Sequence, residues 1–381
     1  MDFSFSQEQE ELRNHARDLL VATCPPDYID RCDRERQPPR EAYDAVAGQG
    51  WLGLIVPEEY GGAGGSAVEV AILLEEAGRQ YEELAMWMFR TMTYGGYAVA
   101  THGTDEQKQR FLPRVAKGEL SVCFGLTEPD SGSDAAALTT RATATNDGNY
   151  AIDGQKVFTS GMDVSDYCLL VTRTARKEKK QDGITVFMVD TATPGIDVRK
   201  IETLGHHAIG TTQVFYNNVK VPESDMIGER DKGWAVADVC LWYERLCLSA
   251  ARTGAATTAF DLALDYAKTR KQFGQAIGKF QAISHKLADM KVMLDVSRML
   301  VYRFAWLMAE GKATRHDASV LKLYTSEAYK AVADMALQIH GGYGYCMEYP
   351  IQRFFRDSRL ATIGAGSSEI QRNIIARSLG L

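Results

Sequence analysis

The run DVCLWYERLCLSAARTG at positions 238–254 decides how the rest of the chain is read. It has no proline and no internal glycine, so it predicts a helix. Leu241, Leu248 and Ala251, with Arg245 between them and Ala255 after them, recur near helical spacing. Glu244 and Arg245 interrupt an apolar neighbourhood of Cys240, Leu241, Trp242, Tyr243, Leu246, Cys247 and Leu248. A carboxylate set among such residues is poorly solvated, and desolvation raises its pKa and makes it a better base. Taken alone, the stretch is better read as a half-exposed Glu-Arg pair on an amphipathic helix, because most such pairs are structural. The motifs on either side reverse that preference.

The helical pattern around this stretch extends over 231–269, and three more follow at 278–310, 314–340 and 367–380. Ile283, Leu287, Met290 and Leu294 mark one inward face. Long helices with short connections predict an antiparallel bundle. Three loops interrupt it: TRKQFGQ at 269–275, QIHGGYGY at 338–345 and IGAGSSEIQR at 363–372. Ser367 or Ser368 would cap the last helix, whose N-terminal N–H groups favour an anion such as a phosphate. Arg270 offers a guanidinium fork to another.

N-terminal to the opening stretch the period changes. Short β-rich runs at 121–126, 139–144, 150–152, 156–159, 167–172, 184–189 and 214–221 are separated by turn signals. The signals are Asn146-Asp147-Gly148, Asp153-Gly154, Asp182-Gly183 and Pro194-Gly195. They predict a small antiparallel sandwich or barrel. Two segments look chemical. FGLTEPDSGSD at 124–134 offers the hydroxyls of Thr127, Ser131 and Ser133, and Gly132 lets backbone approach a ligand; an elaborate polar turn fits it equally well. KVFTSG at 156–161 offers the ring of Phe158, able to pack on a flat ligand, and the hydroxyl of Ser160. His206-His207 has no third ligand at zinc-like spacing, so no metal is expected.

The front of the chain is helical. Ser6 to Gln9 has the capping-box form, and Leu12, Ala16, Leu19 and Leu20 follow in register. Further helices fit 39–50, 66–81 and 105–118, the last capped by Thr104 or Asp105. VPEEYGGAGG at 56–65 is neither G-x-G-x-x-G after a strand nor followed by a Walker lysine, so it reads as a loop between helices.

At 381 residues the chain is long enough for two or three domains, divided at 1–119, 120–226 and 227–381. Its composition, 45% hydrophobic and 24% charged, is that of a soluble globular protein. A net charge of −7 and a pI of about 5.6 argue against non-specific nucleic-acid binding. The one basic cluster, Arg176, Lys177, Lys179 and Lys180, reads as a solvated loop. The seven cysteines, none in C-x-x-C, read as reduced and mostly buried thiols of a cytosolic protein. The N-terminus lacks an apolar signal-peptide core, and no run approaches 18 apolar residues. A cytoplasmic chain without a membrane span is expected.

The order helical–β–helical, with PEEYGG, LTEPDSGSD, RKQFG, QIHGGYG and GAGSSEIQR, resembles the acyl-CoA dehydrogenase family of flavoenzymes over essentially the whole chain. Each motif alone is modest, but five in this order are specific. The resemblance implies a mainly α fold with a central β domain: an N-terminal helical domain, a β barrel or sandwich and a C-terminal four-helix bundle, with FAD between the last two. It implies that Phe124, Leu126, Thr127, Gly132 and Ser133 line the flavin and its pyrophosphate, and that Phe158 and Ser160 stand beside the isoalloxazine. Arg270, Gln272, Phe273 and Gln281 would hold the FAD of a neighbouring subunit, and Gln338, Gly341 and Gly342 would belong to the same shared site. Ser367 and Glu369 would contact the FAD near the last helix. A bacterial homotetramer, a dimer of dimers, is implied by the same likeness.

Many members of that family carry the catalytic glutamate in the last loop, where this chain has Ala365, whose methyl cannot take a proton. A minority, the isovaleryl-CoA dehydrogenase branch among them, carry the base on the bundle helix in an E-R pair and have alanine in the last loop. Glu244-Arg245 matches that form. The resemblance therefore implies Glu244 as base, Ala365 offering its backbone N–H to the thioester oxygen, and Arg245 and Ser133 on the substrate side. The implied reaction is α,β-dehydrogenation of an acyl-CoA thioester to a trans-2-enoyl-CoA, with hydride passing to flavin N5. Reoxidation would be by an electron-transfer flavoprotein. Arg245 lowers the pKa of Glu244 and desolvation raises it, and the sequence leaves that balance open. An enoyl-CoA reductase running the same chemistry backwards is the alternative. A flavin monooxygenase, an acyl-CoA oxidase and a non-enzymatic binding relative each fit less well. A base on the bundle helix leaves room for short branched, cyclic or bulky acyl groups, with Trp242, Tyr243 and the aromatic-rich stretch 87–97 beside them.

Overall fold

Capping side chains set where the front helices begin. Ser6 and Gln9 satisfy each other's backbone N–H groups at the start of α1 (Gln7–Thr23). Ser66 and Glu69 do the same at α4 (Ala67–Gln80), and Thr104 and Gln107 at α7 (Asp105–Ala116), so Thr104 rather than Asp105 is the cap. Helix α3 (Arg40–Gly48) lies within the predicted span. The computed structural model describes residues 4–381; residues 1–3, part of the stretch read for targeting, lie outside the described residues. Three further helices have no counterpart in the predicted pattern: α2 (Pro26–Glu35), α5 (Glu82–Arg90) and α6 (Ala98–His102). Pro26 opens α2 at the position where a missing N–H is harmless. Residues 91–97, which include Gly95-Gly96, form π-type turns between α5 and α6.

The middle of the chain is one eight-stranded sheet. Its strands are β1 (Val122–Gly125), β2 (Arg141–Ala144), β3 (Asn149–Ser160), β4 (Tyr167–Arg173), β5 (Ile184–Asp190), β6 (Ile196–Ile201), β7 (Thr211–Pro222) and β8 (Met226–Ile227). The path runs β6-β7-β3-β2-β4-β5-β8, with β1 added beside β4. The sheet is mixed rather than wholly antiparallel, because β1 and β2 both run parallel to β4. Asp153-Gly154 is not a turn. It sits in a register shift inside a single long β3, where Gly154 takes φ 149° and faces the Thr140 backbone too closely for a Cβ. The edge strand β6, with its exposed polar residues, is a further addition.

Helix α8 (Trp234–Thr269) carries the opening stretch. It is not amphipathic: every residue from 245 to 256 is buried, because α4, α5, α9 (Gln281–Ala309), α10 (Arg315–His340) and α11 (Ile351–Ala361) surround it. A helix packed on all sides has no polar face. Contact with α4 is backbone to backbone. A Cβ on Gly78 would lie 1.9 Å from the Ala251 carbonyl oxygen, and one on Gly254 would lie 2.0 Å from that of Glu75. Beyond α8 come a short hairpin, β9 (Lys271–Gln272) and β10 (Gln275–Ala276), and finally α12 (Ser368–Ser378), capped by Ser367. Helix α11 falls between the predicted 314–340 and 367–380 patterns and is not anticipated by either.

Six cysteines are buried and Cys346 is exposed. In the basic cluster Lys177 reaches Asp231 at 3.0 Å and Lys180 pairs with Asp134. No helix is long and apolar enough to cross a membrane among the described residues.

Candidate active site

Glu244 stands deep within the helical layer yet keeps part of its surface accessible. Burial raises its pKa above the usual carboxylate range. The Tyr94 hydroxyl beside it and the charges of Arg245, Arg252 and Arg90 pull the other way without cancelling the effect. Desolvation thus outweighs Arg245, the balance the sequence leaves open. Arg245 itself is buried, not half-exposed, and its Nε finds no hydrogen-bond partner. Tyr94 lies in the π-type turns and stacks on Phe124 of β1, with ring centroids 4.6 Å apart. Tyr97 from the same turns stacks on Tyr243 at 4.3 Å. The aromatic-rich stretch therefore packs against both α8 and the sheet.

The last loop packs, through Ala365, against the core that holds Cys240, Tyr243 and Cys247 of α8. Ala365 takes φ +55°, a left-handed conformation that is unfavourable for alanine. Its carbonyl accepts from Gln371 Nε2 at 3.2 Å. The Gly366 carbonyl accepts from the same nitrogen at 2.9 Å and from Lys322 Nζ at 2.7 Å. With both carbonyls tied, the Ala365 N–H makes no hydrogen bond among the described residues. Lys322 is fully buried; desolvation and the nearby Arg252 and Arg245 charges depress its pKa from 10.5 to about 7, against the opposing pull of Glu244 and Glu369. It is a part of the site that no sequence motif announces.

The two chemical-looking segments of the sheet region are clamped together by an ion pair. Lys156 Nζ donates to Leu126 O at 2.9 Å and to Glu128 Oε1 at 2.8 Å. Glu128 also accepts from the Thr139 N–H and hydroxyl and from the Thr140 N–H, at 2.6–2.8 Å. A backbone bond from Val157 N–H to Thr127 O adds to this. Next to the clamp, a second register shift in β3 puts Phe158 at φ +58°, and the residue is 64% exposed. Ser160 is half-buried, its hydroxyl 3.1 Å from that of Thr211. Gly132 and Ser133 are exposed on the 124–134 loop, and a Cβ on Gly132 would meet nothing within 4 Å. An uncovered ring, a hydroxyl and an open glycine loop are what the implied FAD needs, so the residues fit that group.

A second set lies elsewhere. Arg270, Gln272, Phe273, Gln281, Gln338, Gly341 and Gly342 are all exposed, Phe273 at 92% with φ +52°. They gather where α8 and α10 end together: Tyr266 stacks on His340 at 4.4 Å, and Arg270 lies over the Tyr343 ring at 5.5 Å. Glu244 and Arg270 are separated along α8 by about 39 Å at ~1.5 Å per residue. The Arg270 set therefore lies at the far end of α8 from Glu244. Ser367 and exposed Glu369, at the start of α12, belong with the Glu244 end through Lys322.

His206 and His207 serve the fold. The His206 N–H donates to Asp357 at 2.7 Å, and its ring lies 3.9 Å from Glu82; His207 Nδ1 lies 3.2 Å from Asp33. No cluster of three metal-ligating side chains occurs among the described residues.

Comparison with known proteins gives three matched family models: acyl-CoA dehydrogenase N-terminal domain over 6–119, middle domain over 123–219 and C-terminal domain over 231–380. A 3-(aryl)acrylate reductase of Clostridium sporogenes is 37% identical, covering 98% of this chain and 99% of the other. The caffeyl-CoA reductase-Etf complex subunit CarC of Acetobacterium woodii is 34% identical, again over 98% and 99%. The solved structure of butyryl-CoA dehydrogenase from Megasphaera elsdenii is similar with a TM-score of 0.95 and 34% identity, covering 100% of both chains.

Proposed function

Because the chain belongs to the acyl-CoA dehydrogenase family of FAD-dependent oxidoreductases acting on CH–CH bonds, we propose that it converts an acyl-CoA thioester to the trans-2-enoyl-CoA, with Glu244 taking the α-proton. The observation that carries this reading is the desolvated carboxylate itself. Glu244 has a raised pKa in a site whose last loop presents only the methyl of Ala365. A raised pKa narrows the gap to a weakly acidic α-carbon. FAD, when bound, supplies the acceptor for the β-hydrogen and its electron pair. The Ala365 N–H is the donor for the thioester oxygen as negative charge develops on it. Gln371 and Lys322 hold the loop carbonyls, so this donor is oriented in advance. Arg245 and Ser133 lie on the substrate side.

In this reading Phe124, Leu126, Thr127, Gly132, Ser133, Phe158 and Ser160, with Ser367 and Glu369, hold the flavin used by Glu244 of the same chain. The set around Arg270 and Gln338 holds the flavin of a neighbouring copy in a homotetramer; its distance from Glu244 supports that division. The boundaries 1–119, 120–226 and 227–381 belong to the same proposal, supported by the change from helices to strands and back. An electron-transfer flavoprotein is the proposed redox partner, supported by the Etf-complex subunit among the relatives. The reductase names of two relatives favour a second reading, the same chemistry run toward the saturated thioester.

Glu244→Gln tests the proposal. It should bind FAD as the parent does and lose flavin bleaching by saturated acyl-CoA by ~10²–10⁴-fold in rate. A variant that still bleaches at the parental rate would remove Glu244 from the role of base.

A further inference from the structure

Most buried carboxylates of the chain have a cationic partner: Glu75 has Arg298, Glu76 has Arg17, Glu82 has Arg252, Glu128 has Lys156, Asp33 has Arg356 and Asp225 has Arg110. Glu83 of α5 and Asp357 of α11 are 0% and 4% exposed and have none among the described residues. Both instead accept backbone N–H groups of one short loop, between β6 and β7. Glu83 Oε1 accepts from the Ala208 N–H at 3.0 Å and Oε2 from the Ile209 N–H at 2.7 Å, while Asp357 accepts from the His206 N–H at 2.7 Å. His206 is held at φ +54°, and a Cβ on Gly205 would lie 2.4 Å from Asp357 Oδ1. Burying a carboxylate without a counter-charge is strongly unfavourable, so two of them on one loop call for an explanation.

What the loop leads into supplies one. A Cβ on Gly161, next to Ser160, would lie 3.2 Å from Ile209 Cγ2. Thr211 then opens β7 as the register partner of Ser160, with the two hydroxyls 3.1 Å apart. Thr212 donates its hydroxyl to the Thr159 carbonyl at 2.7 Å. The loop thus sets the end of β3 that carries Phe158 and Ser160. We infer that Glu83 is a positioning residue for the flavin: ionised, with both oxygens occupied, it fixes the loop that holds Ser160 in place, and its protonation loosens the flavin site. This inference rests on the proposed placing of FAD beside Phe158 and Ser160. A carboxylic acid carries its proton on one oxygen, which then turns an O–H toward one of the loop's two N–H groups. Burial raises the Glu83 pKa from 4.5 to about 7; His206 and the two N–H groups pull it down, and Asp357 pushes it up. Cys32 of α2, Tyr81 before α5 and Arg90 at its end also feel the Glu83 charge. Behind His206 stand Arg252 of α8 and Glu82, which accepts from the Tyr329 hydroxyl of α10.

The test is the pH dependence of FAD affinity. The flavin-loaded full chain is equilibrated at pH 6, 7 and 8 at one protein concentration, and free FAD is measured in the ultrafiltrate. A site that needs the ionised carboxylate weakens tenfold for each pH unit below its pKa of about 7, so the parental Kd should rise ~10-fold from pH 8 to pH 6. Glu83→Gln puts an amide N–H against one of the loop's N–H groups, as the protonated acid does. It should bind FAD ~10-fold more weakly than the parent at pH 8 and hold that Kd down to pH 6. His206→Asn keeps a side chain that tolerates φ +54° and removes the nearby imidazolium, so it should move the rise in Kd to higher pH. A parental Kd that stays within about twofold from pH 8 to pH 6 overturns the inference and leaves the flavin reading intact. Glu83→Gln keeping the parental pH dependence, whatever its affinity, also overturns it, because the residue would then serve the fold alone. Where Glu83→Gln does not fold, an unmoved rise in His206→Asn overturns it in the same way. If the chain binds no FAD at any of these pH values, both readings fall.

Discussion

Replacing Glu128 by Gln keeps the shape of the side chain and removes the charge that faces Lys156. The Lys156 ammonium, fully buried, would then keep only the Leu126 carbonyl as a strong acceptor. Burial by itself raises the Glu128 pKa, yet the Lys156 charge and the Thr139 and Thr140 donors bring it from 4.5 down to about 2. At ~1.4 kcal/mol for each tenfold in proton affinity, the ionised carboxylate adds ~3 kcal/mol to the folded state at neutral pH. A depressed carboxylate contributes above its unfolded pKa, so this share is lost as pH falls from 4.5 toward about 2. Lys156 runs the other way. Burial depresses it from 10.5 to about 8, so its charge costs a similar amount below that pH, and the cost is relieved as pH rises toward 10.5. Together the two are close to neutral for stability, whereas either alone is costly. Glu128→Gln should therefore lose ~3 kcal/mol, a fall of ~4 °C in Tm for a chain of this length. Glu128→Gln/Lys156→Met should recover most of the loss. Scanning calorimetry of both variants beside the parent decides the matter. The reasoning fails if the single variant melts within about 1 °C of the parent or if the double variant is no more stable than the single.

Three further outcomes are expected. The acid limb of kcat/KM against pH should lie above the ordinary carboxylate range, since Glu244 must be deprotonated to act and burial raises its pKa. Lys322→Met should move that limb to higher pH and slow turnover several-fold, because it removes a cation near Glu244 and one of the two donors to the Gly366 carbonyl; pH–rate profiles of parent and variant measure both effects. Gly254→Ala should destabilise by ~3 kcal/mol or more by forcing α8 from α4, while Gly48→Ala, whose methyl would meet nothing within 4 Å, should stay within ~0.5 kcal/mol in denaturant melts.

What the sequence makes legible is what local chemistry determines. The reciprocal caps at Ser6, Ser66 and Thr104 need only residues three apart, and all three are in place. Glu244 stands out because a charge in an apolar run is conspicuous. Lys156 and Lys322 give no such signal, since their partners Glu128 and Gly366 lie 28 and 44 positions away. Asp153-Gly154 carries a turn signature that pairing with β7 overrides, converting it to a bulge. The amphipathic reading of α8 fails for a related reason: a helix enclosed on every side has no solvent face to leave a period in the sequence.

The length of α8 has a thermodynamic consequence. If one end of this rod serves the chain's own flavin and the other end a neighbour's, then cofactor affinity and self-association are two readings of one coupling free energy. Whatever factor assembly contributes to flavin affinity, flavin contributes to assembly. Protein concentration then enters the occupancy of the cofactor directly. Dilution alone releases flavin from chains that stay folded, and added flavin draws dilute chains back together.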